Sequence, residues 1–335
     1  MQKKDKTIAL VLGGASPERE VSLMSSKSVR DALISLGYKI KLIDPALGEL
    51  QFENDDDYFS VKDVKNISSK NYLKTVNSDL FNNVDVVFNG LHGQYGEDGM
   101  IQSLFELKGI KYTGSGVLAS SISMNKSFTK VMLQHFDVQT PKWLVVHKKL
   151  LDVKSIAKKI SENINYPCVI KPNDQGSAIG LTICKDESEL DEALLLALTY
   201  SDTALAEQFI DGYEITVGVL DGHPLPVLEI KPKHSFYDYE CKYTHGMSEY
   251  EVPAKFPADV LETLQSQALL AYNSVGCAHY GRIDFRLSKK LETFCLEVNT
   301  LPGLTSTSLL PKTAKAAGIS FEELIEKIIN ASLTK

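Results

Sequence analysis

Arg282-Ile283-Asp284-Phe285-Arg286-Leu287 and Leu291-Glu292-Thr293-Phe294-Cys295-Leu296-Glu297-Val298-Asn299 are two strand-like runs near the end of a 335-residue chain. Side chains two apart on a strand share a face. Arg282 and Asp284 therefore point one way, and so do Glu297 and Asn299. Phe294, Leu296 and Val298 are expected on the opposite side, in a core. Paired as a hairpin, the runs present two carboxylates, an amide and a guanidinium together. Magnesium takes hard oxygen ligands, usually one or two carboxylates plus substrate phosphates. Asp284, Glu297 and Asn299 are thus candidate metal ligands. A solvated strand face also carries polar residues. Asparagine and glutamate are depleted in strands, so both on one face call for a reason.

Outward from this hairpin the pattern stays legible. Two helices finish the chain, and Pro257 to Val275 reads as another. Ile215 to Leu220 and Leu225 to Ile230 flank Asp221-Gly222, a favoured hairpin turn. Residues 231–256 are polar and aromatic and too long for an ordinary connection, which makes them a candidate lid. The middle of the chain reads as a small α+β unit. Strands are expected at Trp143 to His147, Cys168 to Lys171, Leu181 to Cys184 and Ala204 to Gln208, with helices around Ser155 to Ser161 and Glu187 to Leu198. The first third alternates strand and helix: Thr7 to Leu12, a helix capped by Ser16-Pro17, Tyr38 to Ile43, then Val84 to Phe88 before the glycines from Gly90 to Gly99. In that helix Val21, Met24, Ser28, Ala32 and Leu36 share a face. Such alternation predicts a parallel sheet covered on both sides, with ligands beyond the C-terminal strand ends. Residues 49–79, which include Asp55-Asp56-Asp57, read as a surface insertion.

Several single residues stand where chemistry is served. Lys171 ends an apolar strand just before Pro172 and the loop Gly176-Ser177-Ala178-Ile179-Gly180. A lysine there can reach a nucleotide phosphate while loop N–H groups close over it. An edge lysine before a turn is the commoner occupant of such a position. No GxxxxGK[ST] or GxGxxG occurs, so neither a P-loop nor a dinucleotide fingerprint is present. Glu207 and Glu214 sit at strand ends, where carboxylates accept from an amino group or ribose hydroxyls or are plain surface charge. Glu18 opens a helix, where it either favours the dipole or binds an ammonium. His92 lies between Gly90 and Gly93 in a loop after a strand, a better place for a site histidine than a core.

Composition bounds the rest. The chain carries 36 Lys and Arg against 43 Asp and Glu, a formal net charge of −7, which argues against a dedicated nucleic-acid binder. No apolar run approaches the ~20 residues that span a bilayer. The charged start and the short run Ile8 to Leu12 do not make a signal peptide. The five cysteines have no CxxC spacing and are read as free buried thiols in a reducing compartment, the cytoplasm.

Taken in order along the chain, these segments resemble the D-alanine–D-alanine ligases. The match runs through Gly13-Gly14-Ala15-Ser16-Pro17-Glu18-Arg19-Glu20-Val21-Ser22, Leu91-His92-Gly93 with Gly96-Glu97-Asp98-Gly99, and Tyr112-Thr113-Gly114-Ser115-Gly116. It continues in the Lys171-Pro172 loop, Tyr237-Asp238-Tyr239-Glu240 with Lys242-Tyr243, Gly281-Arg282-Ile283-Asp284, and Glu297-Val298-Asn299-Thr300 through Pro302-Gly303. The resemblance covers nearly the whole chain outside residues 49–79. It implies an ATP-grasp fold, mixed α/β and α+β. The parts would be a Rossmann-like substrate domain at 1–121, a small central domain at 122–212 and a C-terminal domain at 213–335 with its lid at 231–256.

It also implies roles. Glu18, helped by His92, would bind the first D-alanine's ammonium, and Ser177 and Tyr243 would join Glu18 in a triad that holds the lid. Lys126, Lys171 and Lys242 would contact the ATP phosphates, and Glu207, Phe209, Ile210 and Glu214 the adenine and ribose. Asp284, Glu297 and Asn299 would bind two magnesium ions, with manganese as a substitute. Arg282 and the Gly303 N–H would stabilise the tetrahedral intermediate. Ser308 and Leu309 would hold the second D-alanine's carboxylate. The implied reaction passes through an acyl phosphate to D-alanyl-D-alanine for peptidoglycan precursors, in a cytoplasmic homodimer. Rivals are ligases for D-lactate or D-serine, more distantly another ATP-grasp carboxylate–amine ligase, and, from other classes, a biotin-carboxylase-like ATP-grasp carboxylase or a nucleotide sensor without turnover. Tyr243 favours an amine as second substrate. Ala178 and Leu301 depart from the family, which usually has serine at both positions.

Overall fold

The computed structural model describes residues 5–61, 64–234, 244, 246–305 and 307–334. β1 (Thr7–Val11), β2 (Lys39–Ile43) and β3 (Val86–Asn89) form a parallel sheet in the order β2-β1-β3. Ile8 to Val11 are fully buried, as both faces of a parallel sheet should be. The helix Arg19–Ser35 starts three residues after Ser16, which is therefore not its cap. Ser16 instead turns the loop: its Oγ accepts from the Glu18 N–H at 3.0 Å and donates to the His92 carbonyl at 2.6 Å. The buried side of this helix also differs from the expected one. Ser22, Ser25, Ser26, Val29, Ala32 and Leu33 are buried, while Met24 is half exposed. Polar serines go inside because they bind backbone: Ser22 Oγ accepts from Gly13 N–H and donates to the Gly90 carbonyl.

Residues 49–79 are not a plain surface insertion. Tyr58, Tyr72, Thr75 and Val76 are buried. Tyr58 Oη donates to the Leu42 carbonyl at 3.1 Å, and Tyr72 Oη accepts from Ala15 N–H at 3.1 Å. The phenols let a polar stretch close the first sheet, because each ring buries area while its hydroxyl stays paired. The last helix, Phe321–Leu333, has a Ser320/Glu323 capping box. Its Leu324, Ile325, Ile328 and Ile329 enter the same core as Ile8, Leu10, Val29, Leu33 and Phe88. Leu301 joins that core, which accounts for an apolar residue at this position.

The middle sheet is antiparallel. β4 (Trp143–His147), β5 (Cys168–Pro172), β6 (Thr182–Cys184) and β7 (Thr203–Gln208) lie in the order β4-β7-β5-β6. The glycine loop is thus the connection between paired strands β5 and β6. The third sheet contains β8 (Gly212–Leu220), β9 (His223–Pro224), β10 (Leu228–Pro232), β11 (Ser248–Glu251), β12 (Tyr280–Ser288) and β13 (Thr293–Asn299). Its order is β11-β10-β8-β12-β13, with β9 beside β8. Asp221 and Gly222 turn with φ of 50° and 75°, as a two-residue turn requires.

The register of β12 on β13 sets Arg282 opposite Asn299 and Asp284 opposite Glu297. A bulge then interrupts the alternation between Asp284 and Phe285. Cys295 therefore faces the core against Phe285, and Leu296, expected inside, lines a cleft beside Glu297. Val298 is in the core as expected. Part of the candidate lid is ordinary sheet, with Pro232 opposite Ser248. Its Phe236-to-Tyr243 stretch, including Lys242 and Tyr243, lies outside the described residues.

Among the described residues no helix is long and apolar enough to cross a membrane. Cys168, Cys184, Cys277 and Cys295 are free thiols. Burial pushes the Cys277 thiol up to about 12 and that of Cys295 well above its ordinary value. The thiolate is the reactive form. In the native protein, a charged aromatic disulfide should leave Cys277 and Cys295 unmodified over minutes, and in urea it should label both. Peptide mass mapping reads the result, and fast native labelling at Cys295 would contradict this packing.

Candidate active site

The three sheets meet around two adjoining clefts. The first lies between the middle and third sheets and is lined by Lys126, Lys171, Glu207, Phe209, Ile210 and Glu214, with Asp284, Arg286, Leu296 and Glu297 on its floor. The second lies between the first and third sheets and is lined by Glu18, His92, Glu97, Arg282, Asn299, Gly303, Ser308 and Leu309. Gly176, Ser177 and Glu297 line both. Every candidate residue within the described chain therefore falls in one of two connected spaces, although the candidates are spread over nearly 300 positions. Lys242 and Tyr243 are outside the described residues.

The polar face of the β12–β13 hairpin forms the shared floor. Arg282 grips Asp284 as a fork, Nε to Oδ1 at 2.9 Å and Nη2 to Oδ2 at 2.7 Å. Thr216 Oγ1 donates to Asp284 Oδ1 at 2.6 Å, and Asn299 Nδ2 donates to Oδ2 at 3.0 Å. Lys126 Nζ lies 3.4 Å from Glu297 Oε2 and donates to the Gln175 carbonyl at 2.7 Å. Two carboxylates and an amide thus share a face with a compensating cation on each side. Half a turn of the Asn299 amide adds its oxygen to the carboxylates. That donor set suits a hard cation whose remaining ligands come from phosphate and water.

The nucleotide-sized end is braced from below. Lys171 Nζ contacts Glu207 Oε1 at 2.9 Å. Arg286, not singled out from the sequence, holds the segment joining β7 to β8. Its Nη1 meets Glu214 Oε1 at 2.6 Å, and Nε and Nη2 donate to the Ile210 and Gly212 carbonyls. Its position two after Asp284 on the same strand was the available signal.

At the other end, Ser177 Oγ donates to Glu18 Oε1 at 2.6 Å. This bond joins the glycine loop to the first sheet's loop. Any side chain at Gly93 would collide with Glu18 Oε2, and one at Gly176 would crowd both its oxygens. Arg19 and the buried Asp44 pair at 2.6 Å behind Glu18 and hold the Gly13-Gly14 turn: Arg19 donates to the Gly14 carbonyl and Asp44 accepts from Gly14 N–H. His92 Nδ1 lies 3.0 Å from Glu97 Oε1, which sets its ring. Ser308 stands at the N-cap position of the helix Leu309–Ala316, but its hydroxyl makes no capping bond and instead accepts from Thr305 N–H at 3.0 Å. Ser308 and Leu309 at the start of that helix line the second cleft, and a helix N-terminus favours an anion. Arg19, Asp44 and Glu97 lie inside or near the sequence motifs, but nothing in the sequence gave them partners.

The chain matches the family model for the D-ala D-ala ligase N-terminus over residues 7–115 and that for the C-terminus over residues 132–330. It is 43% identical to the D-alanine–D-alanine ligase of Syntrophotalea carbinolica, with 100% of both chains covered. It is 40% identical to that of Geotalea uraniireducens, covering 99% of this chain and 97% of the relative. Among solved structures, the D-alanine–D-alanine ligase of Bacillus anthracis superposes with a TM-score of 0.79 at 32% identity, covering 98% of each chain. Its ATP complex superposes at 0.78 and 30%, again covering 98% of each. The VanG D-Ala:D-Ser ligase of Enterococcus faecalis gives 0.82 at 29% identity, covering 98% of this chain and 99% of that one.

The Ser177–Glu18 bond is charge-assisted and ties the loop directly to the first sheet's loop, so Ser177→Ala should loosen residues 174–180. A hydrogen bond to a charged group contributes about 1.5–3 kcal/mol, so amide exchange there should quicken about tenfold or more, with β5 and β7 unchanged. Equal protection in both proteins would show that the bond does not hold the loop.

Proposed function

The chain belongs to the D-alanine–D-alanine ligase family and has the ATP-grasp fold, and from that premise we propose how its two clefts divide the work. The enzyme is an ADP-forming ligase that joins two D-alanines at the expense of ATP, a step of peptidoglycan precursor synthesis. The first cleft takes ATP. Glu207, Phe209, Ile210 and Glu214 hold adenine and ribose, and Lys126, Lys171 and Lys242 meet the phosphates. Asp284, Glu297 and Asn299 would hold two magnesium ions, or manganese, whose oxygen preferences are shared. Magnesium at that floor supplies neutralisation of phosphate charge.

The second cleft takes both amino acids. Glu18 receives the first ammonium, with His92 beside it, and the helix start at Ser308 and Leu309 receives the second carboxylate. The first carboxylate attacks the γ-phosphorus, which gives an acyl phosphate and ADP. The second amine then attacks the acyl carbon, and phosphate leaves. Arg282 and the Gly303 N–H face the oxyanion formed in that step, where preorganised donors lower the barrier most. Ser177, with Tyr243, holds the loop shut against water, which would hydrolyse the acyl phosphate.

One observation carries this reading: Gly176 and Ser177 border both clefts, and Ser177 bonds Glu18. A single loop can then cover phosphate on one side and amino acid on the other. The three bodies are proposed at 1–121, 122–212 and 213–335. The free thiols favour a reducing cytoplasm. Exposed Met100, Leu107, Leu118, Phe128 and Val131 on three successive helices offer apolar surface for a homodimer.

Purified protein with ATP, magnesium and D-alanine should release phosphate and yield D-alanyl-D-alanine by mass spectrometry, with no stimulation by L-alanine. Offered D-serine or D-lactate as well, it should still make mainly the D-alanine dipeptide. Mostly ester product at neutral pH would move the second substrate to a hydroxy acid. A chelator should stop turnover and added magnesium restore it. Glu297→Ala should lower kcat by roughly a thousandfold or more while the melting curve stays near that of the parent. Parent-like activity would remove Glu297 from the metal site.

A further inference from the structure

Lys130 is a charged residue with no assignment so far. It lies one helical turn after Lys126 and its side chain is 0% exposed. It lines neither cleft. Its Nζ meets Glu207 Oε2 at 2.6 Å, donates to Thr140 Oγ1 at 2.6 Å, and stands 5.5 Å over the Trp143 ring. Glu207 is 2% exposed, and its other oxygen is taken by Lys171. Two ammonium groups therefore converge on one buried carboxylate. Lys171 alone would balance its charge. A second buried cation is unfavourable unless it does something more.

Its effect is on the state of Glu207. Burial favours a protonated carboxyl, and the two ammonium groups reverse that and hold Glu207 below the usual carboxylate range. An ionised carboxylate only accepts hydrogen bonds, whereas a protonated one also donates. An acceptor facing the base suits a purine with an amino group at position 6 and repels one with a carbonyl there. We propose that Lys130 is a positioning residue that makes the nucleotide cleft selective for 6-aminopurine triphosphates, by fixing Glu207 in place as an obligate acceptor. This rests on the reading that Glu207 meets the adenine.

The test is the ratio of kcat/KM for ATP to that for inosine triphosphate, with D-alanine saturating and magnesium present. The parent should favour ATP. Lys130→Met keeps the length and removes the charge; it should narrow the ratio at least about tenfold, mainly through the KM for ATP, because selectivity rests on a correctly paired polar group. Thr140→Val, which leaves the charge and removes one hold on it, should narrow the ratio less. A merely structural lysine would lower activity toward both nucleotides alike. Glu207→Gln separates the two claims, since an amide can donate to the carbonyl. If it collapses the ratio while Lys130→Met and Thr140→Val do not, the role of Lys130 is overturned alone. If Glu207→Gln leaves the ratio unchanged, or the parent uses both nucleotides equally, the adenine reading of Glu207 falls and this inference with it. Should Lys130→Met fail to fold, an unchanged ratio in Thr140→Val overturns the proposal.

Discussion

The register of two neighbouring strands governs the whole site. Asp284 is opposite Glu297 and Arg282 opposite Asn299. A slip by one residue would turn every side chain of β13 to the other face. The pairing is held by the core on its far side, where Ile283, Phe285, Cys295 and Val298 pack. Hydrophobic burial on one face thus fixes the geometry of charges on the other. Two acids so close would repel if left alone. The Arg282 fork and the nearby Lys126 compensate them, so the floor is preorganised before any ligand arrives.

Above that floor, closure depends on small residues and strained backbone. Ser177 and Ala178 hold φ of 54° and 57°, a conformation that costs non-glycine residues free energy. The Ser177–Glu18 bond offsets that strain and points the loop at the second cleft. Gly93 keeps the space that the Glu18 carboxylate occupies. Behind it the Arg19–Asp44 pair fixes the turn, with Asp44 fully buried, its Oδ1 accepting from Gly14 and Ala46 N–H and its Oδ2 ion-paired with Arg19. Ala178 has no hydroxyl to add, so Ser177 and the Gln175 contacts hold the loop.

Much of this could be read from the chain because strand alternation and glycine loops are local. The hairpin at 282–299, the Asp221-Gly222 turn and the Lys171 strand are such cases. What the sequence hid was non-local. The bulge that sends Leu296 to the cleft needs the partner strand to be seen. The serine face of the first helix looks polar until the backbone it binds is placed. Tyr58 and Tyr72 sit in a segment too polar to suggest a core, yet their hydroxyls meet backbone groups outside it. Lys130 gave no signal, since a lysine on an amphipathic helix normally faces water and its three partners lie 10 or more residues away.

The cores also show where the molecule is stiff. The first sheet and the end of the chain share one apolar cluster, from Ile8 to Ile329. Leu304 N–H donates to Ser25 Oγ and Gly114 N–H to His279 Nδ1, so polar contacts bolt the same seam. The second cleft therefore lies between two sheets that share one apolar cluster. The middle sheet keeps a separate core, built from Val146 to Ala206. Among its ties to the rest are the Ser177–Glu18 bond, the Gln175 carbonyl's bond from Lys126 and the buried Lys130–Glu207 pair. Interfaces of that kind yield before apolar cores do. The middle sheet is thus the part freest to shift, while Arg282, Gly303 and Ser308 keep their places around the second cleft.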